Sequence, residues 1–285
     1  MDQKTRARKL RKALVERAAS YGVKKVAVPM SSGVDSHCAL FACLEAGLKP
    51  HVYSFHLEGV ESRDVRIAQL TAKEFGLPFT KVTLPTGQKR LMKDVVKLAE
   101  FGCRSKTDFE CFWPMYHLLP KIKEDVFFTG HGADSLYCLS RKACQHYAGR
   151  EDEFRALAFS SNKAFQKGLI EKWCAENGGD LAYCPIFFTP KILKIFQGAT
   201  PADLNKPIQK AVSRMAFEEY FERVRVYVHQ PFQLGDTGIK AGFEEHLLES
   251  PLNTKGYKSV VGIYNELVRT NGPAVSEPDT GWDDE

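Results

Sequence analysis

Short apolar runs alternate with amphipathic segments along the first half of the chain. The runs are rich in valine, phenylalanine and tyrosine, which favour strands, whereas the segments between them place apolar residues three or four positions apart, as helices do. We predict strands at Val26–Val28, Pro50–Leu57, Phe79–Leu84 and Asp125–Thr129. Strands that alternate with helices indicate a parallel sheet with helices on both faces. The pattern therefore predicts an α/β fold.

The apolar spacing between these strands predicts helices that end at glycines. Ser36–Ala46 is followed by Gly47, and Val65–Phe75 is followed by Gly76. A glycine just after the last periodic position is a common end of a helix. Residues 86–124 are predicted to be mainly helical.

Beyond about residue 151 no further alternation of strands and helices is clear, and the pattern predicts helices. These helices are Glu151–Trp173, Pro190–Phe196, Ala202–Glu222 and Ala241–Leu248. We expect one domain over 1–285, with an α/β core at 1–150 and a helical C-terminal region at 151–270. The last stretch, 271–285, is rich in glycine, proline, serine and acidic residues, which predicts a flexible tail.

A small polar turn joins the first predicted strand to the first predicted helix. It reads SSGVDS from Ser31 to Ser36 and matches neither standard nucleotide fingerprint, GxxxxGK[ST] or GxGxxG. A strand, a tight turn and a helix N-terminus bring backbone N–H groups and the positive end of a helix dipole to one point. Such a point is suited to an anion, although a serine-capped helix that binds nothing would have the same pattern.

Composition and charge limit the kinds of molecule that we expect this protein to bind. The net charge is +5, and much of the positive charge lies in the first 25 residues. No aromatic residues interleave with that charge, which is more typical of a solvated helix face than of a nucleic-acid contact, so a nucleic-acid partner is not favoured. No apolar run approaches the roughly 20 residues needed to cross a membrane, and no signal-peptide core follows the N-terminus. We expect a soluble, cytoplasmic protein without a membrane partner.

A second glycine-containing turn follows the fourth predicted strand. It reads GHGADSLY from Gly130 to Tyr137. Together with SSGVDS, it resembles the ATP pyrophosphatase (PP-loop) superfamily, and in particular the synthetase domain of asparagine synthetase and its β-lactam synthetase relatives. The segment Tyr53–Pro78 is similar to the second strand and helix of that family, with Asp64 at its acidic position. The resemblance implies a Rossmann-like fold of the adenine nucleotide α-hydrolase type.

Two weaker similarities lie in the second half of the chain. Val228–Phe232 is similar to the family's R-x-PFLD segment, and Lys258–Val261 is similar to its K-x-x-LR segment. With them, the resemblance spans about residues 22–268, with specific motifs in the first half and diffuse ones after it.

The resemblance implies ATP and Mg²⁺ as cofactors and assigns residues to both. Asp35 and Asp134 would hold Mg²⁺, an ion that prefers carboxylate, phosphate and water oxygens. Lys258 would face the α-phosphate or the transition state, unless it is an ordinary surface lysine. Asp134 could likewise be only a helix cap. The phosphates would lie against Ser31, Ser32, Gly33, Val34, Asp35 and Ser36, and the adenine against Pro29, Leu57 and Gly130.

The sequence departs from the family in the parts that handle the acceptor. His131 stands where the family has a glutamate for the proton of the nucleophile, and a histidine with its reference pKa of about 6.5 could serve as that base. Ser135 replaces an acid, and Cys138-Leu139-Ser140 replaces Gly-Gly-Tyr. The aspartate of PFLD is missing unless Asp236 takes its place. Aspartate is therefore a doubtful acceptor.

The function that we expect is that of an ATP-dependent carbon–nitrogen ligase. It would adenylate a small carboxylate, release pyrophosphate and transfer ammonia or an amine to the activated carbon. Because the sequence begins at the synthetase region without an N-terminal cysteine, the nitrogen would come from free ammonia, from a separate glutaminase or from an amine.

Two alternatives stay open. One is an ATP pyrophosphatase that modifies a nucleobase or RNA, including thiolation by cysteines such as Cys103, Cys111, Cys138 and Cys144. The eight cysteines contain no CxxC pair, so we interpret them as mostly reduced, structural thiols. The other alternative is an ATP-binding regulatory protein without catalytic activity.

Overall fold

A parallel sheet is the centre of the computed structural model, which describes residues 1–60, 62–139, 141–160, 167–227 and 237–273. Its strands are β1 (Lys25–Pro29), β2 (Lys49–Leu57), β3 (Phe79–Leu84), β4 (Val126–Thr129) and β5 (Ala182–Pro185). They lie in the order β3-β2-β1-β4-β5 and all run parallel. The predicted α/β fold with a parallel sheet is confirmed, and the first four strands lie where the apolar runs predict them.

The fifth strand is one that the sequence pattern does not predict, because no alternation of strands and helices is clear beyond residue 151. β5 extends the sheet beside β4, with Phe127 opposite Tyr183. It has only four residues and ends at Pro185, which is tolerated because an edge strand needs no N–H donor on its outer side. A run this short and mixed in polarity has no clear period, so the pattern does not distinguish it from a loop.

Helices connect and cover the strands. The helices of the first half are α1 (Gln3–Ala19), α2 (Val34–Glu45), α3 (Arg63–Glu74), α4 (Gln88–Phe101), α5 (Lys106–Leu118) and α6 (Ala133–Leu136). A short 3-10 turn follows α5 at Leu119–Lys121. Side chains cap the N-termini of two of these helices. Asp2 accepts a hydrogen bond from the Thr5 N–H at 2.9 Å, and Ser105 forms a capping box with Asp108.

The second half is helical as predicted, with helix bounds that match the prediction only in part. They are α7 (Arg141–His146), α8 (Glu151–Ser160), α9 (Lys167–Asn177), α10 (Pro190–Phe196), α11 (Pro201–Asn205), α12 (Ala211–Ala216), α13 (Glu218–Phe221), α14 (Ile239–Leu248) and α15 (Val260–Asn271). The single helix predicted over Ala202–Glu222 is three helices. Lys210 has a left-handed backbone with φ of 59° at the start of α12, and Phe217, with φ of −133° and ψ of 40°, separates α12 from α13.

Some sequence predictions lie outside the described residues. They are the middle of the predicted helix Glu151–Trp173, the weaker motif Val228–Phe232 with Asp236, and most of the predicted tail, 274–285. In the part of the chain that is described, no helix is both long enough and apolar enough to cross a membrane.

The chain divides into two compact units, and the predicted boundary at residue 150 falls inside the first. The first unit consists of the described parts of 1–54, 63–81 and 122–229. The second consists of the described parts of 55–62, 82–121 and 230–285. In the second unit, Phe109 stacks on Tyr264 with 4.5 Å between the ring centroids.

Part of the basic charge of α1 serves the fold of the first unit. Leu10 and Leu14 are fully buried, and the buried Arg6 donates to the backbone oxygen of Ile195. The Arg11 guanidinium forms ion pairs with Glu45 and with a glutamate of α13. This basic segment is therefore in part a structural helix face.

Arg155 on α8 is a buried residue whose hydrogen bonds link α8 to two other segments of the first unit. It is fully buried, and it donates to the backbone oxygens of Leu136 at 2.9 Å and Ala199 at 2.7 Å and to the carboxylate of Asp152 at 2.6 Å. Leu136 is the last residue of α6, the helix that follows the two glycines of the second turn. Arg155 therefore fixes the helix that carries Asp134.

We expect Arg155→Met to lower the free energy of unfolding by roughly 2–4 kcal/mol, because two buried carbonyls lose their donor. Urea denaturation of the whole chain measures this change. The matched control is Arg150→Met, since Arg150 is about half exposed and its bonds to the His146 carbonyl oxygen at 3.0 Å and to Glu153 at 3.4 Å lie at the surface; a surface change of this kind alters stability by about 0.5 kcal/mol or less. Equal effects of the two substitutions would contradict the role given to Arg155.

Candidate functional site

The turn between β1 and α2 is folded by its own serines. The Ser31 N–H donates to the Ser36 hydroxyl at 3.3 Å, and that hydroxyl lies 3.0 Å from the Gly33 carbonyl oxygen, to which it donates. The Gly33 N–H donates to the Ser31 hydroxyl at 3.2 Å. Because α2 begins at Val34, its first N–H groups have no partner within the helix. These groups and the helix dipole make the end of the turn suitable for a phosphate.

Hydrogen bonds hold Ser32 through its N–H, its hydroxyl and its carbonyl oxygen. Its N–H donates to a carboxylate oxygen of Asp64 at 2.7 Å, and its hydroxyl donates to the same oxygen. Its carbonyl oxygen accepts from the Tyr227 N–H at 3.2 Å. A glycine at this position would lack the hydroxyl bond, so the serine has a structural use here. Asp64 lies in the first turn of α3, and the sequence does not reveal this contact.

The second glycine turn passes directly beside the first. β4 is the neighbour of β1, with Phe127 opposite Ala27. A Cβ added to Gly130 would lie 2.6 Å from both the backbone carbon and the Cβ of Asp35, so only glycine fits at this position. Gly132 has a φ of 90°, and a Cβ there would overlap the ring of Phe188. The close contact between Gly130 and Asp35 therefore brings the two turns together, as the sequence predicts.

Asp35 and Asp134 face one ammonium group, that of Lys210. The Lys210 Nζ donates to a carboxylate oxygen of Asp35 and, at 2.6 Å, to one of Asp134. Lys210 is 2% exposed. The other carboxylate oxygen of Asp35 is buried without a hydrogen-bond partner. Two carboxylates and a buried cation therefore share one small space.

The pKa values of this group reflect its burial and its charges. Burial raises the pKa of Asp35 to about 6, even though the Lys210 ammonium opposes that change. Burial would lower the pKa of Lys210, but the carboxylates of Asp35 and Asp134 outweigh it, so the pKa lies above its ordinary value. Lys210 is therefore a cation at neutral pH.

Lys210 is a site residue that the sequence reasoning missed. It lies within the helix predicted over Ala202–Glu222 and belongs to no motif quoted above. In the structure, its N–H donates to the side-chain oxygen of Asn205 at 3.0 Å, and this hydrogen bond helps to hold the left-handed backbone. A contact between residues 35 and 210 cannot be inferred from local periodicity.

His131 lies beside Tyr183, on β5. Its Nδ1 and the Tyr183 hydroxyl oxygen are 2.5 Å apart, and the Thr129 hydroxyl donates to the same oxygen at 3.4 Å. Burial lowers the pKa of His131 to about 4, against an opposing effect of Asp134. The sequence expectation starts from the reference pKa of about 6.5, and the pattern does not reveal the burial that lowers it. The imidazole is neutral at pH 7.

The remaining predicted site residues are divided between the two units. Pro29 ends β1, opposite Tyr53, in the first unit. Leu57 ends β2 and is buried in the second unit, where it lines a small cavity of about 30 Å³ with Trp113. Lys258 is exposed in the second unit, in the turn before α15. The first unit thus brings together the SSGVDS turn, the second glycine turn and both aspartates.

The carboxylates of the first unit fit a magnesium ion by their chemistry. Mg²⁺ usually takes one or two carboxylates and completes its shell with water and phosphate oxygens. The buried, unpartnered oxygen of Asp35 is available as such a ligand, close to the oxygens that contact Lys210. Over the described ranges no three or more His, Cys, Asp or Glu side chains converge as a protein-only metal site, and a site completed by phosphate does not require them.

The thiols have the character of structural residues. All eight cysteines lie within the described residues, and there they are present as thiols and not as disulfides. Burial raises the pKa of Cys111, and thiols with raised pKa values are poor nucleophiles at neutral pH. Burial also raises the pKa of Cys38, Cys43, Cys138, Cys144, Cys174 and Cys184.

Comparison with known proteins identifies the family. No curated protein sequence matches this chain significantly. Similar solved structures include that of NMN synthetase from Francisella tularensis, which is 11% identical, with a TM-score of 0.35 and an alignment that covers 81% of this chain and 100% of that chain. A likeness at this score says nothing about a substrate. The sequence model of the asparagine synthase family matches residues 7–223, which include both glycine turns, both aspartates and Lys210. The chain belongs to the asparagine synthase family.

Proposed function

We propose that this protein uses ATP to adenylate a small carboxylate, releases pyrophosphate, and transfers ammonia or an amine to the activated carbon to form an amide. The observation that carries the proposal is the convergence of Asp35 and Asp134 beside the SSGVDS turn. Membership of an ATP-using family supports it. Adenylation makes the acyl carbon open to attack and turns the carboxylate oxygen into part of a good leaving group, AMP.

Each part of the first unit has a role in this proposal. The N–H groups at the start of α2 bind and orient the phosphates of ATP. Asp35 and Asp134 hold Mg²⁺, which when bound offsets the negative charge that grows on the leaving pyrophosphate. His131, as a neutral imidazole, takes a proton from the attacking nitrogen, and Tyr183 orients the ring. The adenine lies against Pro29 and Gly130, at the ends of the neighbouring strands β1 and β4.

The chemistry of the thiols favours amide formation over thiolation. Sulfur transfer needs a thiolate, and burial keeps these thiols protonated at neutral pH. The nitrogen comes from ammonia, a separate glutaminase or an amine. The departures at Ser135 and after Tyr137 argue for an acceptor other than aspartate.

We expect Asp35→Asn and Asp134→Asn each to lower the rate of ATP-dependent pyrophosphate release by at least about a hundredfold, roughly 2.7 kcal/mol of barrier, because each removes one anionic metal ligand without changing side-chain size. Each variant leaves Lys210 one carboxylate partner, so thermal melting should still show a folded chain. Asp180→Asn, at an exposed turn, is the matched control and should keep the wild-type rate. A near wild-type rate for Asp35→Asn at limiting Mg²⁺ would show that the metal assignment is wrong.

We expect kcat/KM to fall as the pH drops below about 6, because Asp35 then gains a proton and is no longer an anionic ligand. The imidazole of His131 stays neutral until about pH 4, so it does not produce this fall. His131→Ala should therefore be slower at every pH and yet keep the decline near pH 6. Loss of that decline in His131→Ala would identify the histidine as the titrating group instead.

Cys103→Ala and Cys111→Ala should each leave the rate of pyrophosphate release within about threefold of the wild type, less than 1 kcal/mol of barrier. The reason is that thiols have no part in adenylation or in attack by nitrogen. The measurement pairs the rate with the melting temperature, since both residues are buried. A hundredfold loss of rate at unchanged melting temperature would instead support sulfur transfer.

A further inference from the structure

The ammonium of Lys210 lies where the proposed metal would bind. It contacts a carboxylate oxygen of each of Asp35 and Asp134, the two proposed ligands of Mg²⁺. The proposed function assigns no role to this cation. Lys210 is almost fully buried, so it is not an ordinary surface lysine whose charge is solvated by water.

The chain holds Lys210 in place through its backbone. The left-handed conformation, with φ of 59°, is unfavourable for a residue with a side chain. Its N–H donates to the Asn205 side chain, whose amide in turn donates to the carbonyl oxygens of Tyr137 at 3.0 Å and Pro201 at 2.9 Å. Helix α11 and the end of α6 thus hold, through Asn205, the unfavourable backbone from which one ammonium meets two carboxylates.

Ammonium and Mg²⁺ compete for these oxygens. Both are cations, and two cations a few ångströms apart in a buried site repel each other strongly. Lysine carries its charge on a flexible four-carbon stem, so the ammonium can leave the carboxylates if another anion is available. The triphosphate of ATP is such an anion, whereas a divalent ion that arrives alone brings none.

Resting on the proposed metal assignment, we propose that Lys210 is an exchangeable resident cation: it occupies the two carboxylates in the free protein and moves to the phosphates when Mg²⁺ arrives with the nucleotide. The free protein then binds divalent ions weakly, and metal binding depends on the nucleotide. Lys210 also keeps the two aspartates together while no metal is bound.

The test is a titration with Mn²⁺ in the absence of nucleotide, in which electron paramagnetic resonance measures the free ion. The whole wild-type chain should bind weakly, and Lys210→Met should bind Mn²⁺ at least tenfold more tightly, because both carboxylates become available. The gain should vanish in the double variant Lys210→Met with Asp35→Asn. The matched control is Lys191→Met, which removes an exposed lysine paired with Glu16 and should behave as the wild type.

A second measurement covers the case in which Lys210→Met folds poorly. Its two facing carboxyl groups have no cation to offset their charge and a bound Mn²⁺ supplies one, so Mn²⁺ should raise its melting temperature while leaving that of the wild type unchanged. Equal Mn²⁺ affinity in the wild type and in Lys210→Met, or a gain that survives Asp35→Asn, would overturn the proposal. Because no nucleotide is present, either result is independent of whether ATP turnover is found.

Discussion

The close approach of Gly130 to Asp35 is the constraint on which the candidate site depends. β1 and β4 are neighbours in a parallel sheet, so the turns that follow them leave the sheet at the same edge. A side chain at Gly130 would collide with the backbone and the Cβ of Asp35. The absence of that side chain lets the second turn pass the start of α2 and brings Asp134 to the same ammonium as Asp35.

Charge balance is the other requirement of this arrangement. Two carboxylates in a mostly buried space repel each other unless a cation is present. Lys210 supplies that cation from a distant part of the chain and accounts for the strained backbone at the start of α12. At the SSGVDS turn, likewise, a group of the protein takes a place that a ligand could take. The Asp64 carboxylate accepts a hydrogen bond from the Ser32 N–H, which could otherwise donate to a phosphate oxygen.

The sequence was sufficient for features set by local pattern. The strands β1 to β4 are short segments rich in valine, phenylalanine, tyrosine and threonine. The two glycine turns stand directly after two of them, so both the sheet and the meeting of Asp35 with Asp134 could be predicted. β5 could not, because its four residues have no clear period. Lys210, the Asp64 contact and the low pKa of His131 depend on tertiary burial and on contacts between distant residues, which no local pattern contains.

Transfer of an oxygen atom tests the proposed chemistry most directly. Once a screen of carboxylates finds an acceptor that supports pyrophosphate release, that acceptor is prepared with ¹⁸O in its carboxylate and incubated with ATP and ammonia or an amine. If the carboxylate attacks the α-phosphorus and nitrogen then displaces AMP from the acyl carbon, one ¹⁸O atom must appear in AMP and the other must remain in the amide. Mass spectrometry that finds unlabelled AMP, or ADP and phosphate in its place, would contradict adenylation of a carboxylate by this protein.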